Sequence, residues 1–305
     1  MAKWRRAGLT VLAVVTCTAL VAGGAGTRHP ASGTRDPQTQ TARPVKVFIS
    51  VDMEGLTGVV ANTEVSADGP DYPHFRAIMA AETNAAIEGA ARAGATEFVV
   101  RDSHGVKMNL QPGDVSPRAR LIRGPSPGAK NMMEGMDATF AAAIFIGYHA
   151  KAGTPDAVLA HTSNGNVVDI SINDVSMPEG GYNALVAGLY DVPVVFVAGD
   201  RAFVDQARGL LGPVEAVVTK TVIGGGAVDS LSPAAAQRQI TDGVERAVRA
   251  RATFKPYKLT PPYTMVLKVR VERPLYKGAE RRAPGESVFR HTDLLEVLNA
   301  FNAMK

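Results

Sequence analysis

Short apolar runs alternate with helical stretches from Val45 onward, and that alternation limits the fold more than any other feature of the chain. Strand-like runs rich in Val and Ile occur at 45–51 (VKVFISV), 97–101 (EFVVR), 142–148 (AAIFIGY), 167–172 (VVDISI), 192–199 (VPVVFVAG) and 216–223 (AVVTKTVI). Branched side chains suit a pleated, packed surface, and runs this short suit strands. Between them, HFRAIMAAETNAAIEGAARAGA (74–95) reads as an Ala-rich helix ending near Gly94. GGYNALVAGLY (180–190) and SPAAAQRQITDGVERAVRARA (232–252) read as further helices, the last opened by a Ser-Pro cap signal. The pattern predicts an α/β fold, a mostly parallel sheet with helices on both faces. After residue 253 it changes. PYKLTPPYTMVLKVRVERP is a Pro-bounded strand with polar alternation, and HTDLLEVLNAFNAM (291–304) a closing helix. Residues 45–253 are therefore expected to form the α/β domain that carries any site, and 254–305 a smaller C-terminal lobe.

The first 26 residues have the three parts of an export signal: Lys3, Arg5 and Arg6, then an apolar core from Ala7 to Ala22, then small residues Gly23 to Gly26. The apolar stretch is short for a membrane span, so contact with a membrane is expected only through an uncleaved or lipidated leader. Cys17, the single cysteine, follows Val14-Val15-Thr16, a poor lipoprotein box. Cleavage beyond it leaves no thiol, which excludes disulfides, thiolate metal sites and a cysteine nucleophile. Residues 27–44 (TRHPASGTRDPQTQTARP) are polar and Pro-rich and read as a flexible tether. The leader and tether also account for the basic pI of about 9.2. Residues 1–43 hold six Lys and Arg against Asp36 alone, so a chain total of +4 leaves residues 44–305 at −1. That balance argues against nucleic acid as a partner. The loop IGGGAVDSLS (223–232) lacks the lysine that a phosphate-binding loop requires.

Two carboxylates interrupt the first apolar run. FISVDMEGLTGV (48–59) places Asp52 and Glu54 two residues apart, which aims both at one face of an extended chain, and Gly55 then breaks the strand. The histidines fall in similar places. His104 ends EFVVRDSH and His149 ends AAIFIGYH, each just past a strand, and His161 follows on a loop. Glu179 lies between a strand and the next helix. The carboxyl edge of an α/β sheet is where ligands bind, so Asp52, Glu54, His104, His149 and Glu179 converge as candidate ligands. Two imidazoles and three carboxylates without a thiol suit zinc, and also cobalt or manganese. Five donors with a closely spaced acid pair exceed the needs of one zinc and fit a dinuclear site with a bridging carboxylate. Asp102 reads equally well as a turn residue, and His74 and His291 as ordinary surface histidines.

The segments SVDMEGLTGV, RDSHG, NMMEGMD, FIGYHAKAGTP, IND with Glu179 five residues on, NALVAGLYDVPVVFVAGD and LSP stand in one order between Val45 and Pro233. Together they resemble the zinc-dependent D-aminopeptidases of the dipeptide-transport-operon type. The resemblance implies an α/β subunit with two zinc ions that releases N-terminal D-residues from short peptides. It also implies a ring-shaped homo-oligomer, a decamer in the type member, that encloses the active sites. Asp52 would bridge the metals, Glu54, His104, His149 and Glu179 would complete the ligands, and His161 would be the catalytic histidine. Asn183 and Asn173 fall in family-like segments and read as structural. This chain departs from the family pattern in three places: the stretch from His149 to His161 is one residue longer, Pro178 precedes Glu179 where glycine is expected, and an export leader precedes the domain. Two other readings stay open from residues alone. One is a metal-dependent amidase or phosphoesterase, for which Lys107 and Lys151 are the nearby cations. The other is an exported protein that binds metal or peptide without catalysis.

Overall fold

The structure, a computed structural model, describes residues 44–305. The export leader at 1–26 with Cys17, and the tether at 27–44 except Pro44, lie outside the described residues. In chain order the first half comprises β1 (Lys46–Val51), α1 (Asn62–Val65), α2 (Tyr72–Arg92), β2 (Glu97–Asp102), β3 (Ala119–Ile122), β4 (Ala142–Tyr148), β5 (Val167–Ile172) and β6 (Val175–Ser176). Then follow α3 (Glu179–Leu189), β7 (Val194–Asp200), α4 (Arg201–Leu211), β8 (Glu215–Gly224), β9 (Ala227–Ser230), α5 (Pro233–Arg249), β10 (Tyr263–Val269), β11 (Glu280–Ala283), β12 (Glu286–His291) and α6 (Leu294–Met304).

Seven strands form the main sheet in the order β3-β2-β1-β4-β7-β8-β9, parallel throughout except for the β8–β9 hairpin. Alternation along β1 divides the core in two. Val47, Ile49 and Val51 pack with Ile78 and Met79 of α2 and Ile240 and Val244 of α5. Phe48 faces the other way and joins Leu185 of α3 and Phe203 of α4. The fold is thus the expected α/β architecture, with helices on both faces.

A second, antiparallel sheet runs β11-β12-β10-β5-β6 and shares the α3 side of the core with α6, through Ile170, Met265, Phe289 and Phe301. The strand read at 167–172 therefore forms, but it pairs with β10 rather than with the main sheet. Its composition explains this: Asp169 and Ser171 alternate with the buried Ile170 and Ile172, the mark of a strand buried less completely than those of a parallel sheet. The C-terminal segment 254–305 supplies β10, β11, β12 and α6, and α6 is the closing helix expected at 291–304. Helix α4 has no counterpart in the sequence reading. It starts directly after β7, with the Asp200 side chain accepting a hydrogen bond from the Phe203 N–H. Among the described residues no helix is long and apolar enough to cross a membrane.

Strand order positions the site. The chain runs outward from β1 to β2 and β3, then returns to place β4 on the other side of β1. The carboxyl ends of β1 and β4 thus flank the point where the winding reverses, the usual ligand position in an open sheet. Two glycines bring these ends into backbone contact. Gly55 donates its N–H to the Gly147 carbonyl at 2.8 Å, and a Cβ at Gly55 would stand 1.8 Å from the Tyr148 oxygen. Gly147 has a φ of +70°, and a Cβ there would meet the Asp52 carbonyl at 2.2 Å. Only glycine at both positions allows the acids after β1 to lie beside the histidine after β4.

Candidate metal centre

All six side chains singled out from the sequence meet at this edge. Asp52, Glu54, His149 and Glu179 are buried, while His104 and His161 are partly open. β1 ends at Val51, so the two acids sit in the turn that follows it. Asp52 keeps the ladder by donating its N–H to Ile146 O at 2.8 Å, and Leu56 N–H closes the turn on Met53 O at 3.0 Å. Three side-chain hydrogen bonds from β8 hold this turn from below. Thr219 Oγ1 donates to Gly55 O at 2.7 Å, and the buried Lys220 ammonium donates to Glu54 O and, at 2.9 Å, to Leu56 O.

Each histidine has one nitrogen tied to the backbone and the other turned to the carboxylates. His104 Nε2–H donates to Val65 O at 2.8 Å, which leaves Nδ1 3.1 Å from Asp52 Oδ1 and 3.0 Å from Glu54 Oε2. His149 Nδ1–H donates to Ala150 O at 3.0 Å, which leaves Nε2 3.6 Å from Asp52 Oδ2 and 3.7 Å from Glu179 Oε1. His161 Nδ1–H donates to Leu159 O at 2.9 Å, and its Nε2 lies 3.7 Å from Glu179 Oε1 and 4.0 Å from Glu54 Oε1. The His149 and His161 rings stack with centroids 4.2 Å apart. Glu179 starts α3 and takes the Ser163 N–H at 2.6 Å. It reaches the site from a helix N-terminus, where a carboxylate is favoured, rather than from a strand of the main sheet.

Asp102 proves to be the turn residue. It accepts from the Asn109 and Leu110 N–H groups at 2.6 and 2.8 Å and so shapes the loop that carries His104. Asn183 lines the cavity and donates to Tyr148 OH at 3.1 Å, whereas Asn173 ties β5 to β10 through Thr264 N–H at 2.7 Å. His74 and His291 lie outside the site, and both are exposed. Lys151 is engaged with Asp169 at 3.4 Å and with Ser176, whereas Lys107 does line the cavity. Lys305, at the far end of the chain, also lines it and went unread in the sequence.

A family profile described as D-aminopeptidase matches residues 45–303. The chain belongs to the D-aminopeptidase family. It is 38% identical over 268 residues to the D-aminopeptidase of Bacillus subtilis (strain 168), across 85% of this chain and 96% of that protein. It also matches the solved structure of the Zn-dependent D-aminopeptidase DppA from Bacillus subtilis, described as a self-compartmentalizing protease. The TM-score is 0.80 at 35% identity, covering 84% of this chain and 95% of that one. Membership makes this chain an enzyme of the metallo-aminopeptidase class.

Does the donor set of this D-aminopeptidase-family chain fit metal ions? His149 Nε2 is buried and, among the described residues, has no hydrogen-bond partner, which is costly unless a cation engages it. Donors about 2.0–2.1 Å from a tetrahedral metal stand roughly 3.3 Å from one another. The nitrogen–oxygen separations of 3.0–3.7 Å in the groups Asp52–Glu54–His104 and Asp52–His149–Glu179 bracket that value. The groups share Asp52, whose Oδ1 serves one and whose Oδ2 serves the other.

The same acids control the protons. Burial alone would lower both histidines, but the Glu54 charge and hydrogen bonds to Asp52 and Glu54 hold His104 well above the usual imidazole range. At His149 the charges of Glu179, Glu54 and Asp52 outweigh burial and raise it to about 9. Burial, then the Glu54 charge, raises Asp52 to about 6. Burial would raise Glu54 too, but the His104 charge prevails and keeps it well below the carboxylate range. A cation entering this cluster competes with protons on both histidines, so its uptake releases protons and weakens as pH falls.

Proposed function

We propose that this chain is an exported aminopeptidase that uses two zinc ions to hydrolyse short peptides bearing an N-terminal D-residue of the D-alanine type. One observation carries the reading: two donor groups of two carboxylates and one imidazole each, joined through the two oxygens of Asp52. Zinc is supported by the chemistry of the donors and by the solved relative, which is described as Zn-dependent. The preference for D-residues is supported by family membership. The basic and apolar leader supports export, which would expose the enzyme to D-alanine-containing fragments of cell wall. A homo-oligomer enclosing the sites, with a decamer as the expected size, is supported by the relative described as self-compartmentalizing.

Asp52, Glu54 and His104 would hold one ion, and Asp52, His149 and Glu179 the other. When bound, the pair supplies Lewis-acid polarisation of the scissile carbonyl and lowers the pKa of a water molecule toward 7. The chain itself positions and moves protons. His161 Nε2 faces the cavity, and its Nδ1–H is anchored on Leu159 O, so the free nitrogen takes a proton from the attacking water and returns it to the departing amine. The Asn183 amide, fixed by Tyr148 OH, lines the same wall and orients the peptide. The cavity of about 240 Å³ is smaller than the roughly 300–1,000 Å³ of typical small-molecule pockets, which suits a short peptide.

Elemental analysis of the purified protein tests this. About two zinc ions per chain are expected, and a chelator should remove them together with hydrolysis of D-Ala-p-nitroanilide. Undiminished turnover by metal-free protein would refute the reading.

A further inference from the structure

The cavity that holds the acidic cluster is also lined by two lysines. Lys107 and Lys305 both line it, and among the described residues neither ammonium forms an ion pair. The Lys107 ammonium donates to the Gly105 carbonyl at 3.0 Å, and that of Lys305 lies 5.3 Å from the Phe301 ring centroid. Burial lowers Lys305 to about 8, against the opposing charge of Glu179, which leaves it mostly protonated at neutral pH.

Both lysines are held in place by the fold. Lys107 has a φ of +63°, a left-handed conformation that a lysine adopts at a cost and that glycine or asparagine would adopt more easily. Its carbonyl takes the Gly124 N–H at 2.5 Å and its N–H bonds His104 O at 2.8 Å, so the residue sits three positions beyond a metal-site histidine in a fixed turn. Lys305 extends one face of α6. Leu298, Phe301, Asn302 and Lys305 all line the cavity, at the i, i+3, i+4, i+7 spacing of a single helical stripe. Leu294, Val297 and Ala300 are buried in the same core and anchor α6.

We propose that Lys107 and Lys305 bind the C-terminal carboxylate of the peptide substrate and thereby select short peptides with a free acid end. The proposal rests on the reading of this chain as a short-peptide aminopeptidase. The peptide's amino end and scissile bond would lie at the metal ions that the acidic cluster would hold. A short peptide carries its second charge, the carboxylate, only a few bonds away, and the lysines offer the opposite sign within the same cavity. A long peptide or a C-terminal amide brings no such charge and leaves both ammoniums unpaired. Carboxylate recognition of this kind reads length and terminus together.

The test compares D-Ala-D-Ala with D-Ala-D-Ala-amide on the zinc-loaded full protein, with D-Ala-p-nitroanilide as a substrate that has no carboxylate. Wild type should prefer the acid over the amide by about tenfold or more in kcat/KM, chiefly through KM, the scale of one charge-assisted hydrogen bond. Lys305→Met, which keeps the apolar stem on Phe301, and Lys107→Asn, which tolerates the left-handed backbone, should each bring the ratio toward one. Calorimetry of the same two peptides on His161→Ala protein reads binding without turnover, and the acid should again bind about tenfold tighter. Equal handling of acid and amide by wild type, or an acid preference that survives both substitutions, overturns the proposal. Hydrolysis of D-Ala-p-nitroanilide with no acid preference leaves the aminopeptidase reading standing and removes only the carboxylate site. Failure to hydrolyse the anilide removes the aminopeptidase reading itself, and the calorimetry then decides the carboxylate site alone.

Discussion

Replacing Asp52 with alanine should empty both halves of the metal centre and lower kcat/KM by about a thousandfold or more, the several kcal/mol that a metal site contributes to charge stabilisation. The reason lies in its two oxygens. Oδ1 stands 3.1 Å from His104 Nδ1 and Oδ2 stands 3.6 Å from His149 Nε2, so one side chain completes both donor groups. Glu54 also belongs to a third close group with His149 and His161, whereas Glu179 belongs to the His149 group alone. Glu54→Gln should remove the ion on the His104 side, and Glu179→Gln the ion on the His149 side. Metal content per chain, measured by elemental analysis after gel filtration, should then fall to about zero for Asp52→Ala and to about one for each glutamine variant. An Asp52→Ala protein that keeps one ion would show that the groups are independent and would remove the bridge from the account.

His161→Ala should separate chemistry from metal binding. We expect kcat to fall by about 10²–10⁴-fold, the usual worth of a positioned acid-base group, with two ions retained. The contrast with His149 supports that division. The side chain of His149 is 1% exposed, with an orphaned nitrogen, whereas that of His161 is 28% exposed toward the cavity. The rings stack, but only the outer one is open to a peptide. The competing outcome is specific: Glu54, His149 and His161 also cluster closely enough to share an ion. Loss of one ion in His161→Ala would make it a ligand and move the proton-transfer role elsewhere.

Much of the site could be read from the order of residues, because parallel strands end on a common edge. Asp52, Glu54, His104 and His149 each follow a Val- or Ile-rich run that becomes β1, β2 or β4, and those strands are adjacent. The acid pair was expected on the pleat of β1; it lies in the turn beyond, and the turn brings both carboxylates to the same nitrogen. Glu179 departs from the strand-end pattern. It follows β5 and β6, which belong to the second sheet, and enters the site as the first residue of α3. Helix α4 was hidden because nothing polar or flexible separates it from β7 beyond the Asp200 cap itself. Lys107 stands close to the His104 motif, but Lys305 has no motif beside it. Lys305 reaches the cavity only because β10, β12 and α6 fold back over α3, a tertiary event with no local signature. Its one trace in the sequence is the helical spacing of Leu298, Phe301, Asn302 and Lys305, which reads equally well as a core stripe.

The most direct test of the central claim is stereochemical. Purified zinc-loaded protein should hydrolyse D-Ala-p-nitroanilide with a kcat/KM at least about a hundredfold above that for the L-isomer, a difference of roughly 2.7 kcal/mol in transition-state binding. Equal rates, or a preference for the L-isomer, would contradict the assignment of this chain as a D-aminopeptidase.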